Sequence, residues 1–137
     1  MGLRLIAFLA VLGLGAAAFA GSSTAGAQEA LPRISLKSGE TMDLRSVYFF
    51  RNCRSILKET PTIEVLEGPE ELTLTIKPEM VIPRDKNCSS PVEGGTVVVK
   101  VGEVKAAKEA QLTYRVKYKT LEGERQNARV YLVSLFP

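Results

Sequence analysis

The stretch QLTYRVKYK, residues 111–119, alternates apolar and polar side chains. Leucine, tyrosine and valine occupy the even-numbered positions from Leu112 to Tyr118, and polar residues occupy the odd-numbered ones. Successive side chains of a β-strand point to opposite faces, so this period predicts a strand with one buried and one solvated face. A glycine-containing connection, residues 120–124, and an apolar stretch, residues 128–136, follow it. The end of the chain is therefore predicted to be a β-hairpin.

Shorter stretches of the same kind recur upstream and predict the remaining strands. They are residues 34–36, 42–50, 62–66, 72–77 and 96–101. Together with the hairpin they make about seven strands, which is typical of an all-β sandwich or barrel. Residues 104–110 are the one stretch with helical propensity, enough for a short turn. Residues 78–95 contain three prolines and the pair Gly94-Gly95, and they are predicted to form a long irregular connection.

The closing segment, residues 112–136, combines a tyrosine-bearing strand, a glycine turn and a final alternating strand. In these features it resembles bacterial immunoglobulin-like and cadherin-like domains. The resemblance implies an immunoglobulin-like sandwich of about seven strands. The chain departs from antibody domains in having no tryptophan and in placing Cys88 in the irregular connection. The inter-sheet disulfide of antibody domains is therefore not expected.

The N-terminal part of the chain, residues 1–27, has the features of a secretory signal peptide. Arg4 supplies a positive charge, residues 5–20 are uncharged and apolar, and the triplet 25–27 is Ala-Gly-Ala. Cleavage after this triplet leaves residues 28–137 as a single β-sandwich domain, with no segment apolar enough to span a membrane. Because the alanine-rich leader is typical of bacteria, the mature domain is predicted to be periplasmic or secreted.

Two cysteines, Cys53 and Cys88, lie in the predicted mature domain. Cysteines of an exported chain most simply form a disulfide bond. Closing a loop of this length is worth roughly 3 to 4 kcal/mol in the chain-entropy model. The alternative, a pair of redox-active thiols, lacks the usual Cys-x-x-Cys spacing. A structural disulfide is therefore predicted.

The chain has no histidine, which removes the usual general base and the usual zinc ligand. An enzyme would have to use carboxylates or lysine. Glu70 and Glu71 are adjacent, and adjacent residues of a regular strand point to opposite faces, so they would not flank one substrate. The sequence therefore predicts a protein that is not an enzyme and that uses no cofactor and no metal ion.

Basic residues form two local clusters. A disulfide would bring the tracts 51–54 and 84–88 together, and with them the first cluster. Its members are Arg51, Arg54, Arg84 and Lys86. The second cluster lies on the solvated face of the hairpin strand, where Arg125 or Arg129 could join it across the turn, and it consists of Arg115, Lys117 and Lys119. Guanidinium and ammonium groups clustered in this way suit carboxylate, sulfate or phosphate groups. The alternative is that both clusters are solvated and partly balanced by Asp85, Glu59 and Glu122.

The overall charge is small, with 18 basic and 15 acidic side chains and a net charge of +3. It produces no strong field around the whole domain, so no nucleic-acid partner is expected. The leading functional hypothesis is a non-catalytic binding or structural module of the bacterial envelope that contacts an envelope protein or an anionic glycan. The alternatives are a pilus or adhesin accessory subunit that pairs strand edges with its neighbours and, less favoured, a small carboxylate-dependent hydrolase.

Overall fold

The computed structural model describes Gly15 and residues 30–137, and every regular element within them is a β-strand. The strands are β1 (Arg33–Lys37), β2 (Thr41–Val47), β3 (Phe50–Arg51), β4 (Arg54–Ser55), β5 (Thr62–Glu67), β6 (Leu72–Val81), β7 (Val92–Val101), β8 (Lys108–Thr120) and β9 (Gly123–Phe136). The predicted signal peptide lies outside the described residues, apart from Gly15. In the described part of the chain, no helix is long and apolar enough to cross a membrane.

Seven of the strands form two sheets that pack face to face. One sheet has four strands in the order β1-β9-β8-β5, and the other has three in the order β2-β7-β6. Within the sheets, neighbouring strands are antiparallel except β1 and β9, which run parallel. The two remaining strands, β3 and β4, form a separate ribbon. The all-β sandwich predicted from the sequence is confirmed.

The core lies between the two sheets and follows the predicted alternation. Every even-numbered residue of β8 from Leu112 to Thr120 is buried, and the odd-numbered ones between them are more exposed. In β7, the central strand of its sheet, Val97 and Val99 have no exposed surface. Burying one valine or leucine side chain contributes roughly 1.5 to 3 kcal/mol. The faces that the period-two pattern marked as apolar therefore hold the sandwich together.

The predicted terminal hairpin is confirmed. The β8–β9 register runs without interruption from the pair Lys108 and Leu135 to the pair Thr120 and Gly123, which leaves a two-residue turn. The Thr120 hydroxyl accepts a hydrogen bond from the Glu122 N–H at 3.1 Å and donates one to the Gly123 carbonyl at 2.7 Å. Gly123 has a φ of 107°, which glycine adopts without steric cost.

The strand predicted over residues 42–50 is divided in the structure. β2 ends at Val47, and Tyr48 and Phe49 leave the sheet. The Phe49 ring packs edge-on against Tyr118, with 5.5 Å between the ring centroids. The Tyr48 hydroxyl accepts a hydrogen bond from the Arg84 N–H at 3.0 Å. Contacts of these two aromatic rings with other parts of the fold therefore end the strand earlier than the local pattern predicts.

The long irregular connection predicted for residues 78–95 is wrong at both ends, because β6 continues to Val81 and β7 begins at Val92. Pro78 fits in β6 because this strand lies at the edge of its sheet. Gly95 lies inside β7 and not in a turn. A Cβ there would stand 2.6 Å from Cγ2 of Ile76, so glycine is needed for close packing. Residues 82–91 alone are irregular.

The helical turn predicted for residues 104–110 is wrong, since no helix forms there and β8 begins at Lys108. Val104 belongs to the core with 3% of its surface exposed, and its N–H donates a hydrogen bond to the Ser38 hydroxyl at 3.0 Å. These tertiary contacts outweigh the weak helical propensity of a short alanine- and lysine-rich stretch.

Candidate anion-binding surface

The β3–β4 ribbon carries the first of the two basic tracts. Arg51 pairs with Arg54 across the ribbon, which leaves Asn52 and Cys53 as its turn. Both turn residues have positive φ, at 51° and 60°, as a type I′ turn requires. Side chains directly opposite each other on antiparallel strands share a face, so this turn brings the two arginines to the same face of the ribbon.

The second basic tract lies in the irregular connection, residues 82–91. The Asn87 N–H donates a hydrogen bond to Oδ1 of Asp85 at 2.9 Å, and the Cys88 N–H donates one to the Asp85 carbonyl at 3.1 Å. An aspartate at this position commonly stabilises a turn through its own side chain. The turn fixes the backbone around Lys86, which lies between Asp85 and Asn87 in the chain.

A disulfide bond between Cys53 and Cys88 joins the two tracts, as predicted, with 5.3 Å between the Cα atoms. Cys88 is buried, and Sγ of Cys53 lies 3.3 Å from the Asn87 carbonyl oxygen. The ribbon also bonds to the β8–β9 hairpin, because the Leu121 N–H donates to the Ile56 carbonyl at 2.9 Å. The basic tracts are therefore held at one end of the sandwich.

We call the cluster at this end the disulfide rim, and it consists of Arg51, Arg54, Arg84 and Lys86. All four side chains are exposed. Arg51 is engaged by Glu122 of the hairpin turn, with Nη2 2.8 Å from Oε2 and a second contact between Nη1 and Oε1. Within the described residues, no ion pair neutralises the other three. The rim thus keeps three positive charges outside any ion pair, with Asp85 between Arg84 and Lys86 as the nearest carboxylate along the chain.

The second predicted cluster, Arg115, Lys117 and Lys119 on the outer face of β8, is compensated. Glu64 lies on the neighbouring strand β5, with Oε2 3.7 Å from Nη1 of Arg115 and 3.4 Å from Nζ of Lys117. Glu59 lies 3.2 Å from Nζ of Lys119. The structure therefore favours the solvated and balanced interpretation for this cluster.

Of the two arginines expected to extend that cluster across the turn, Arg125 lines one depression of about 440 Å³ with Lys117 and Lys119, and Arg129 does not. Arg125 pairs with Tyr118, and Arg129 pairs with Tyr114. Residues directly opposite on antiparallel strands share a face, and both tyrosines belong to the inner face of their sheet. Both side chains therefore leave β9 on the face opposite to the cluster. They are exposed nonetheless, because they lie on the part of β9 that β1 does not cover.

Three arginines that form no ion pair among the described residues, Arg45, Arg125 and Arg129, lie by their pairing on the inner faces of β2 and β9, and we call them the side group. Arg125 also lines a depression with Lys117 and Lys119 at the hairpin end. A β-bulge between Asp43 and Arg45 shifts the register of β2, so Arg45 pairs with the buried Val97 and takes the inner face. Arg45 also lines a small cavity of about 200 Å³, which connects it to the disulfide rim. The cavity is lined by Leu44, Arg45, Ser46, Tyr48, Ile82, Arg84 and Tyr131.

The side group acts on buried phenols of the core. Burial raises the pKa of Tyr114, and Arg45 and Arg129 oppose this rise because their positive charges favour the phenolate. Burial also raises the pKa of Tyr118, and this rise is opposed first by a hydrogen bond with the Asn127 side chain and then by the same two arginines. Among the described residues no group lies in hydrogen-bonding geometry with the hydroxyl of Tyr114, and the neighbouring Tyr131 adds to the rise in its pKa. The two guanidinium groups therefore act on the same buried phenols from β2 and from β9.

The sequence analysis missed the side group, although one signal for it exists. Arg125 and Arg129 have the same parity as Tyr131, Val133 and Leu135, which the alternation of β9 sends inwards. Charged residues at strand positions whose side chains point towards the core indicate either a free edge or an opening in the core. The bulge that turns Arg45 inwards has no comparable signal in the sequence.

A surface depression of about 820 Å³ at the other end of the sandwich contains the carboxylates that a hydrolase would need, including Glu70, Glu71 and Glu103. Glu70 and Glu71 line it together because they lie in a turn before β6, so the expectation that they point to opposite faces of a strand is wrong. Glu71 accepts a hydrogen bond from Lys108, and this bond holds the pKa of that carboxyl below its usual value. A general acid needs a raised pKa to stay protonated near neutral pH. The shift at Glu71 therefore runs against that role.

Comparisons with known proteins add no constraint on these assignments. No protein-family model, curated protein or solved structure matches the chain. Within the described residues, no group of three or more aspartate, glutamate, cysteine or histidine side chains is arranged to hold a metal ion. The function is therefore inferred from the geometry and charge of this surface.

Proposed function

We propose that this protein is a non-catalytic, exported binding module of the bacterial envelope, and that its disulfide rim contacts an anionic protein or glycan. The observation that carries the proposal is the set of uncompensated charges on Arg54, Arg84 and Lys86 beside the disulfide. Like charges that approach closely repel by about 1 kcal/mol per pair in water. A bound polyanion would relieve this repulsion, because Arg and Lys groups bind carboxylate, sulfate and phosphate oxygens.

The disulfide supports export. Disulfide bonds persist in oxidising compartments such as the periplasm and the extracellular space. The bond between Cys53 and Cys88 also orders the site, since it fixes the ribbon against the irregular connection. A ligand that binds to a preformed rim loses less of its affinity to the ordering of the protein.

The strand order supports an immunoglobulin-like assignment as part of the same proposal. When the seven sheet strands take the letters A to G in chain order, β2-β7-β6 is B-E-D, and β9-β8-β5 is G-F-C. Constant-type immunoglobulin domains divide these strands between their sheets in the same way. In this protein the first strand pairs with G instead of B. Such sandwiches carry many unrelated functions, so the functional proposal depends on the charged surface.

The proposal is tested by retention on a heparin column, with two charge-reversal variants that change the same number of charges. Arg54→Glu with Arg84→Glu should elute at a clearly lower salt concentration than the wild type. Lys117→Glu with Lys119→Glu should have a smaller effect, because Glu64 and Glu59 already compensate those lysines. Retention should weaken as salt rises, since exposed charges are screened over about 8 to 10 Å at physiological ionic strength.

Two outcomes would contradict the proposal. Elution of both double variants with the wild type would show that neither cluster binds. Greater loss from the Lys117 and Lys119 variant would move the site to the outer face of β8. Circular dichroism of each variant should match the wild type, so that lost retention reports on the surface and not on unfolding.

A further inference from the structure

Within the described residues, the strand β9 has a long unpaired edge. Its pairing with β8 extends along the whole strand, but β1 covers the other edge only from Leu132 to Phe136. From Gly123 to Val130 that second edge faces no strand in the described part of the chain. At about 3.4 Å per residue, the open edge is roughly 25 Å long. Its regular register with β8 contains no bulge.

The direction of the free backbone groups follows from the bonds that β1 makes. The Leu132 N–H donates to the Pro32 carbonyl at 2.9 Å, so the backbone groups of even-numbered residues in β9 point to this edge. The same parity places the N–H and carbonyl groups of Gln126, Ala128 and Val130 at the open edge. The Glu124 carbonyl at the same edge already accepts a hydrogen bond from Nη1 of Arg125 at 3.1 Å, so the free groups begin at Gln126. Donors and acceptors thus alternate along the edge as an added strand would require.

The side group gives this edge a positive charge. Arg125 and Arg129 lie on the inner face of β9, and Arg45 lies across the open side on β2. Within the described residues none of the three forms an ion pair. A second copy of this chain is a poor occupant, because antiparallel pairing of two such edges would place arginines opposite arginines. The charge favours an acidic strand.

We propose that an extended acidic segment of a partner protein adds to β9 as a further strand, along Gly123 to Val130. Its backbone bonds to the free groups at Gln126 and Ala128, and its carboxylates meet the guanidinium groups of the side group. This inference rests on the proposed function, because it requires an anionic partner. It places that partner on a different surface and requires it to be a polypeptide. A glycan does not repeat amide donors and carbonyl acceptors at the roughly 7 Å spacing of alternate strand residues.

Other free edges fit this partner less well. β5 carries a bulge between Val65 and Glu67 and presents Glu64, which would repel an acidic strand. β6 contains Pro78, which lacks a backbone donor. β2 has a bulge between Asp43 and Arg45. β1, the remaining edge strand, is regular and carries Arg33 and Lys37, but it has only five residues. The free edge of β9 is longer, has a regular register and carries two arginines that form no ion pair among the described residues, beside one glutamate, Glu124.

The test uses the whole mature domain and a synthetic octapeptide of alternating glutamate and valine with blocked ends. Ala128→Pro removes one edge donor without touching the bonds to β8, and Ala128→Val keeps that donor. The proline variant should bind the peptide about tenfold more weakly, and the valine variant should bind like the wild type. Arg125→Glu with Arg129→Glu should weaken binding at least as much. In the wild type, the peptide should slow amide hydrogen exchange at Gln126 and Ala128.

A second probe covers the case in which the proline variant fails to fold. The same peptide with alternate amides N-methylated keeps its charges but loses backbone donors, so the wild type should bind it about tenfold more weakly. Equal binding of both peptides, or unchanged amide exchange at Gln126 and Ala128, would overturn strand addition. Light scattering could instead show a dimer that the acidic peptide does not dissociate. The occupant of the edge would then be a second copy of this chain, and this result would also overturn the addition of an acidic strand. In each of these cases the proposed function of the disulfide rim would still be supported if retention on heparin depends on Arg54 and Arg84.

Discussion

Removal of the disulfide by Cys53→Ala with Cys88→Ala should cost a large part of the stability. The two cysteines are 35 residues apart, and releasing a loop of that length costs roughly 4 kcal/mol in the chain-entropy model. Each kcal/mol lowers the melting temperature of a domain near one hundred residues by about 4 to 8 °C. The melting temperature should therefore fall by about 15 to 30 °C. The sheets should still form at low temperature, because the buried faces of β7 and β8 do not contain either cysteine.

The assay is urea unfolding followed by far-UV circular dichroism and tyrosine fluorescence, since the chain has no tryptophan. A matched variant, Cys53→Gly with Cys88→Ala, separates the bond from the backbone conformation. Cys53 has a φ of 60°, and a left-handed conformation costs a residue with a side chain roughly 1 to 2 kcal/mol. The glycine variant should therefore be the more stable of the two by about 1 kcal/mol. An alanine variant within about 1 kcal/mol of the wild type would refute the estimate from loop closure.

Three further changes test the packing and the charges. Gly95→Ala should lower the free energy of unfolding by about 1 to 3 kcal/mol in thermal or urea unfolding, whereas Gly102→Ala, whose Cβ would stand 3.5 Å from its nearest neighbour, should have little effect. The pKa of Glu71 is lowered by folding, so its contribution to stability is present above the pKa of the unfolded state and is lost as pH falls through the folded value. Glu71→Gln should therefore flatten the loss of stability between about pH 5 and pH 3 in acid unfolding, and an unchanged slope would exclude this carboxyl as a cause. Tyr114→Phe removes a buried hydroxyl that has no hydrogen-bond partner among the described residues and should raise the melting temperature slightly, and a marked fall would show that this hydroxyl is bonded.

The disulfide rim could be predicted in part from the sequence. Two cysteines in one chain have a single intramolecular pairing, and the basic residues next to them are therefore brought together whatever the fold. The pairing of Arg51 with Glu122 could not be predicted, because it depends on the ribbon lying against the hairpin turn. Likewise, the compensation of Lys117 by Glu64 requires β5 to lie beside β8.

Local periodicity determined the strands, the closing hairpin and the apolar face of β8, because a side-chain period of two depends on the backbone alone. It failed at Gly95 and at Val104, where glycine and helical propensity suggested a turn and a helix, and packing against other strands decided otherwise. The edge of β9 that is free among the described residues is a tertiary property, because β1 begins at Arg33 and pairs no further back along β9 than Leu132. The exposure of Arg129 follows from that pairing, because a residue on the inner face of a sheet is buried only where a neighbouring strand or sheet covers it.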